Sequence, residues 1–226
     1  MRGDVVDESY AVAEASDEES PEHLREELGD LLLQVVMHSR MEEEAGRANL
    51  SDVADGICKK LIYRHPHVFG DVTVSGSGQV LENWEELKKK EKHQKTASDS
   101  VDAVARSLPG LWRAEKIQKK AAKVGFDWDS VDGAMAKLRE ETDELQAAIR
   151  DGSNVEEELG DLLFAAVNVA RFVKTDPEGA MTADCDKFAR RFRAVEEAAQ
   201  AQGRELSSMT LAEMDALWDQ VKRKEA

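Results

Sequence analysis

EETDELQAAIRDGSNVEEELGD, residues 140–161, holds two acidic pairs at helical spacing on either side of a turn. Within it Glu141 and Glu144 are three apart, as are Glu158 and Asp161. Residues i and i+3 share one face of an α-helix, so each pair presents two carboxylates to one side. Between the pairs, Asp151-Gly152-Ser153-Asn154 has the composition of a turn, and Ser153-x-x-Glu156 reads as a capping box opening a second helix. So short a turn predicts two antiparallel, touching helices whose inward stripes bring all four carboxylates together.

Four adjacent carboxylates repel one another, and some must take up protons unless a cation joins them. A hard divalent cation reverses that cost. The bland alternative is a solvated acidic helix pair. Against it, Leu159, Leu162, Leu163, Ala166, Val167, Ala170 and Val173 form an apolar stripe, with Glu158, Asp161, Ala165 and Asn168 in a second stripe beside it. The acidic residues thus form a narrow line next to the predicted core rather than a whole outer face.

Composition narrows the class. The chain has 226 residues, 35% of them charged, with a net charge of −16, which argues against a nucleic-acid partner needing a basic face. It does not argue against a nucleotide that arrives with its metal. No apolar run is long enough to span a membrane, and residues 1–15 are acidic and do not read as a signal peptide. The two cysteines, Cys58 and Cys185, fit a reducing, cytoplasmic setting, and their spacing suggests neither a metal site nor a redox pair. Four prolines, 5% aromatic residues and abundant Ala, Glu, Lys and Leu predict an all-α protein.

The chain repeats itself. EELGDLL occurs at 26–32 and again at 157–163, so Glu27 and Asp30 align with Glu158 and Asp161. Lys60 and Arg64 match Lys187 and Arg191, and Trp84 and Lys88 match Trp218 and Lys222. Cys58 and Cys185 each precede the matched lysine by two residues, which predicts helix-packing positions. Ser20-Pro21 marks a helix start in the first copy, a Gly- and Ser-rich loop covers 70–79, and 109–128 opens the second copy with a basic helix and a turn at Gly125. The organisation read is an N-terminal repeat over 1–92, a polar linker over 93–106 and a C-terminal repeat over 107–226. The copies are unequal: Ala11 stands where Glu144 stands, and Met37 where Asn168 stands. The first copy also has no counterpart to 109–128, which predicts an N-terminal segment outside this chain. One complete site in the second copy and an impaired first copy follow.

In that second copy Glu141, Glu144, Glu158 and Asp161 are the candidate ligands of Mg²⁺, with Mn²⁺ a substitute. Mg²⁺ pairs a few carboxylates with substrate phosphates, so cleavage of a phosphate ester or phosphoanhydride is the natural reaction. Glu140 or Glu157 could serve as general base, or each could be a surface ion-pair residue. Lys187, Arg191 and Lys222 are candidate phosphate clamps, or ordinary helix cations. Trp218, one turn before Lys222, could stack on a base or belong to a core. Asn168 could bond a base or sugar, or orient a ligand. Lys116, Lys119 and Lys120 read as a solvated face. All five histidines lie in the first 93 residues, which excludes a histidine-ligated zinc or di-iron site in the second copy, and His65-Pro66-His67 reads as structural.

Taken together, EELGDLL in both copies, YRHPHVF (63–69), KIQKKAAKVGFDW (116–128), EETDEL (140–145), KFARRFR (187–193) and WDQVKRKE (218–225) resemble the MazG family of nucleoside triphosphate pyrophosphohydrolases over nearly the whole chain. The resemblance implies an all-α fold of two tandem helical domains, each a four-helix-bundle core completed by homodimerisation. It implies Mg²⁺-dependent cleavage of (d)NTPs between the α- and β-phosphates, in nucleotide-pool sanitation or stress control. It carries metal and catalytic roles onto Glu140, Glu141, Glu144, Glu158 and Asp161, with Glu157 adjacent, and nucleotide contacts onto Lys187, Arg191, Trp218 and Lys222. The competing readings are a diphosphatase releasing orthophosphate, a metal-dependent nucleotide-binding protein without turnover, and a purely structural bundle.

Overall fold

The computed structural model describes residues 2–17, 20–91 and 95–225, so His93 lies outside the described residues. Among the described residues every regular element is a helix, and the chain divides into two units, Met1–His93 and Gln94–Ala226. The all-α expectation holds.

The first unit holds α1 (Arg2–Asp17), α2 (Pro21–Glu44), α3 (Leu50–Arg64), α4 (Pro66–Phe69) and α5 (Ser77–Glu91). Ser20 caps α2 as expected, its hydroxyl accepting from His23 N, with Pro21 supplying the first helical φ. Asn49 and Asp52 form a reciprocal capping box that opens α3. The helix α5 begins at Ser77, so the loop read over 70–79 is shorter than its composition suggested.

The second unit holds α6 (Ala97–Asp102), α7 (Gly110–Ala122), α8 (Val131–Asp151), α9 (Val155–Phe172), α10 (Pro177–Ala201), a 3-10 turn (Leu206–Ser208) and α11 (Leu211–Glu225). Within the segment read as a polar linker, the Thr96–Asp99 capping box winds α6, which packs on α7. Six residues are too few to show a helical period, so the cap was the only available signal. The pair α10–α11 closes on Val195, Ala199, Leu217 and Val221, with Trp218 against that cluster. The start of α11 is fixed by Thr210, whose N–H and hydroxyl both donate to Glu213 Oε2 at 2.8 and 2.9 Å, while Arg204 donates to Oε1 at 2.7 Å.

The Arg204 bond first, then the Thr210 bonds, hold the Glu213 carboxyl down from 4.5 to about 2. A depressed carboxylate contributes stability above its unfolded pKa and loses it as pH falls through the folded one. Glu213→Gln is therefore expected to lower urea resistance at neutral pH, with the deficit closing between about pH 4.5 and 2. A deficit equal at both ends would mean the ion pair contributes nothing.

The pair α8–α9 is the most extensive in its unit, and small buried side chains, Ala134, Ala148 and Ala165, allow the close approach. Two details of this hairpin differ from the sequence reading. Ser153 does not cap α9: its N–H, like that of left-handed Gly152, is spent on the carbonyl of Ala148, closing the end of α8. Asn154, itself left-handed at φ 53°, is the N-cap residue and makes no side-chain cap bond. The apolar stripe is also turned. Ala165, assigned to the polar line, is buried with Val167, whereas Leu159 and Leu163 are each 45% exposed. Because the carboxylate line faces α8, the large apolar stripe of α9 must point elsewhere. Both cysteines are exposed and free, not packed between helices within the chain as expected, since they lie on similarly uncovered faces. No described helix is long and apolar enough to cross a membrane.

Candidate functional site

The hairpin brings together three of the four expected carboxylates, and Glu144 is not among them. Glu141 comes from the middle of α8, and Glu158 and Asp161 come from the first two turns of α9. One carboxylate oxygen from each lies within 4.8 Å of the others. Their exposure is graded: Glu141 is 5% exposed, Glu158 is half-buried and Asp161 is open to solvent. The first turn of α9 carries Glu156, Glu157 and Glu158, where the positive end of the helix dipole favours ionised carboxylates.

Two observations show a centre short of positive charge. Glu141 Oε2 is buried and accepts no hydrogen bond. A buried carboxylate oxygen without a donor is costly, and a cation satisfies it. Glu144, one turn on, has its carboxyl pushed up, first by sharing a hydrogen bond with Glu141 and then by desolvation and the Glu141 charge. The donor set is all carboxylate oxygen, which suits a hard cation of the Mg²⁺ class and not a soft one.

Lys137 was missed by the sequence reading. Its ammonium sits 2.6 Å from Glu141 Oε1 and 2.7 Å from Glu140 Oε1. Those bonds, Glu140 first, raise its pKa well above the usual lysine range. The signal was present in the i+3 and i+4 spacings from Lys137 to Glu140 and Glu141, but such pairs are common on helix surfaces. Glu140 is thus engaged by Lys137, while Glu157 lies exposed in the first turn of α9.

The expected phosphate clamps sit on another helix pair. Lys187 pairs with Asp184, Arg191 donates to Glu225 at 2.6 Å, and Lys222 stands 4.0 Å from Asp219. Trp218 packs on Phe188 at 5.2 Å between ring centres. The first unit repeats the arrangement, since Arg64 donates to Glu91 at 2.7 Å. Recurrence of this arginine in both copies is therefore accounted for by an ion pair tying two helices, whatever else the residue does. In the first unit Trp84 carries Lys88 over its ring at 4.7 Å and Arg64 at 5.5 Å.

The first copy is less degenerate in space than in sequence. Glu8, Glu27 and Asp30 also bring one oxygen each within 4.8 Å of the others. Ala11 removes only the fourth carboxylate. In that unit, however, no member of the trio is fully buried, and His23 pairs with Glu27 at 3.2 Å.

Asn168 lies two turns beyond Asp161 on α9 and borders an open cavity of 360 Å³ lined by α7, the segment after it and α9. Arg171 donates to Asn168 Oδ1 at 2.7 Å and forks onto Asp127, which fixes the loop between α7 and α8 to α9. Asp127 is held below the usual carboxylate range, chiefly by that guanidinium.

Known proteins match this chain over most of its length. The profile of the MazG nucleotide pyrophosphohydrolase domain matches residues 1–69 and 130–195, which includes both carboxylate trios. The chain is 45% identical over 224 residues to a nucleoside triphosphate pyrophosphohydrolase of Escherichia coli strain K12, covering 97% of this chain and 85% of that one. It is 39% identical over 218 residues to the nucleoside triphosphate pyrophosphohydrolase/pyrophosphatase MazG of Thermotoga maritima, covering 96% and 83%.

Proposed function

The chain belongs to the MazG family of nucleotide pyrophosphohydrolases, and from that premise we propose that its C-terminal unit is the catalytic one and works with Mg²⁺. The reaction converts a nucleoside triphosphate and water to the monophosphate and pyrophosphate. The oxygen of water bonds to the α-phosphorus, the bond from that phosphorus to the α–β bridging oxygen breaks, and pyrophosphate leaves with the electron pair. The observation that carries the assignment is the trio of Glu141, Glu158 and Asp161, in which buried Glu141 has an Oε2 without a hydrogen-bond partner.

Glu141, Glu158 and Asp161 would hold the metal, with Glu144 beside them. A bound Mg²⁺ neutralises phosphate charge, orients the substrate and eases deprotonation of water. Glu157 is assigned to accept the proton of that water, because Glu140 is already engaged by Lys137. Lys137, once Glu141 turns to a cation, is placed to meet a phosphate oxygen. The N-terminal unit is assigned a supporting role. Roles in nucleotide sanitation or stress control, and a cytoplasmic setting, complete the reading.

A homodimer is part of the same proposal. Two separate compact units of about 10 and 15 kDa would together expose roughly 12,000 Å². The chain exposes 16119 Å², with Leu159, Leu163 and Phe164 bare along α9 and Phe188 and Phe192 bare along α10. A second copy covering these faces would complete the bundle and could bring the cations of α10 and α11 to a site.

The direct test is metal removal. Chelation is expected to abolish pyrophosphate release from (d)NTPs, and Mg²⁺ to restore it. Undiminished release in excess chelator would remove the metal from the account.

A further inference from the structure

Resting on the metal reading above, we infer that Lys137 is the internal counter-ion of the acidic centre, holding Glu141 until a divalent cation displaces it. The lysine thereby sets how tightly the centre takes that cation.

The pair differs from a common helix-surface pair in its burial. Lys59 and Asp55 have the same i, i+4 spacing, but their side chains are 76% and 59% exposed, and such pairs contribute little. The Glu141 side chain is 6% exposed. A carboxylate charge at that depth needs a countercharge. Glu140, the second partner of Lys137, is more than half exposed and makes no such demand.

The countercharge meets only one side of the carboxylate. Lys137 Nζ stands 2.6 Å from Glu141 Oε1, while Oε2 is left buried without a donor. Glu158 and Asp161 each bring an oxygen within 4.8 Å of one from Glu141. One ammonium therefore stands against three carboxylates. A hard divalent ion at about 2.1 Å from either Glu141 oxygen would come within a few ångströms of Nζ. Two cations that close in a partly buried place repel each other strongly. The metal must then bind weakly or drive the ammonium out. A way out exists: the stem is long and flexible, the side chain is partly exposed, and Glu140 offers it a partner on the solvent side.

The first copy supplies a contrast. The position aligned with Lys137 there is Asp4, and no member of the Glu8, Glu27 and Asp30 trio is fully buried. The lysine is found in the copy whose carboxylate is buried.

The test titrates Mg²⁺ alone, without nucleotide, into the full-length protein and its variants, read by calorimetry and thermal melting. Lys137→Met is expected to bind Mg²⁺ roughly tenfold more tightly than wild type, because no ammonium competes. Lys137→Arg keeps the charge and is expected to stay within about twofold of wild type. Without metal, Lys137→Met is expected to melt below wild type, since buried Glu141 has lost its counter-ion. Saturating Mg²⁺ is expected to close that gap. A lysine that merely braces α8 would leave the same deficit with and without metal. Unchanged or weaker Mg²⁺ affinity in Lys137→Met, with metal-dependent pyrophosphate release intact in the wild type, overturns the exchange and leaves the metal centre standing. No Mg²⁺ binding by either protein sinks the metal centre and the exchange with it.

Discussion

Glu141→Gln is expected to lower kcat/KM for any accepted nucleoside triphosphate by roughly a thousandfold or more, about 4 kcal/mol of transition-state stabilisation. Glu141 is the one fully buried carboxylate of the trio and the one with an orphaned oxygen, so removing its charge removes the strongest pull on a cation. The metal-free protein is expected to melt no lower than wild type. Neutralising one of several adjacent carboxylates relieves repulsion, and Lys137 keeps Glu140 as a partner. The Mg²⁺-induced rise in melting temperature should vanish with the activity. The matching change in the first unit, Glu8→Gln, is expected to alter turnover by about twofold at most, because the catalytic centre is assigned to the other hairpin. Calorimetric titration with Mg²⁺ and a pyrophosphate-release assay on both variants decide this. Equal losses in Glu141→Gln and Glu8→Gln would mean that the two copies share the work.

Leu163→Asp carries the second large effect. Leu163 is 45% exposed on the stripe of α9 turned away from α8, next to Phe164 at 42%. A monomer would leave this stripe in water, and a charge in its middle would then be nearly neutral in stability. In the proposed dimer the same charge would be buried without a partner and would split the assembly. Light scattering is expected to show the mass falling to one chain, with activity down about a hundredfold as α9 loses the neighbour that sets Glu158 and Asp161. A monomeric wild type, or a dimeric and fully active Leu163→Asp, would contradict the proposed interface.

How much of this was legible beforehand follows the reach of each signal. The acidic hairpin was readable because i, i+3 spacing and a Gly-Ser-Asn turn are local, and the structure joins Glu141, Glu158 and Asp161, three of the four carboxylates that spacing pointed to. The repeat was readable as identical heptapeptides. Its spatial consequence, a second trio at Glu8, Glu27 and Asp30, is stronger than the Ala11 substitution suggested. Which stripe of α9 meets α8 was not readable, since two adjacent stripes both carried small or apolar residues and the carboxylates settled the rotation. Lys137 was hidden among common helix pairs. The bond from the Gln118 amide to the Phe164 carbonyl was hidden altogether: the two are 46 residues apart, and only the packing of α7 on α9 brings them together. The cap at Ser153 failed because the end of α8 claimed its N–H first.

The most direct measurement is ³¹P NMR of ATP incubated with the protein, with and without Mg²⁺. Signals of AMP and pyrophosphate, growing only when the metal is present and absent from Glu141→Gln, are the predicted result. ADP with orthophosphate would place the cleavage at the wrong bond, and an unchanged ATP spectrum with Mg²⁺ would contradict hydrolysis at this centre outright.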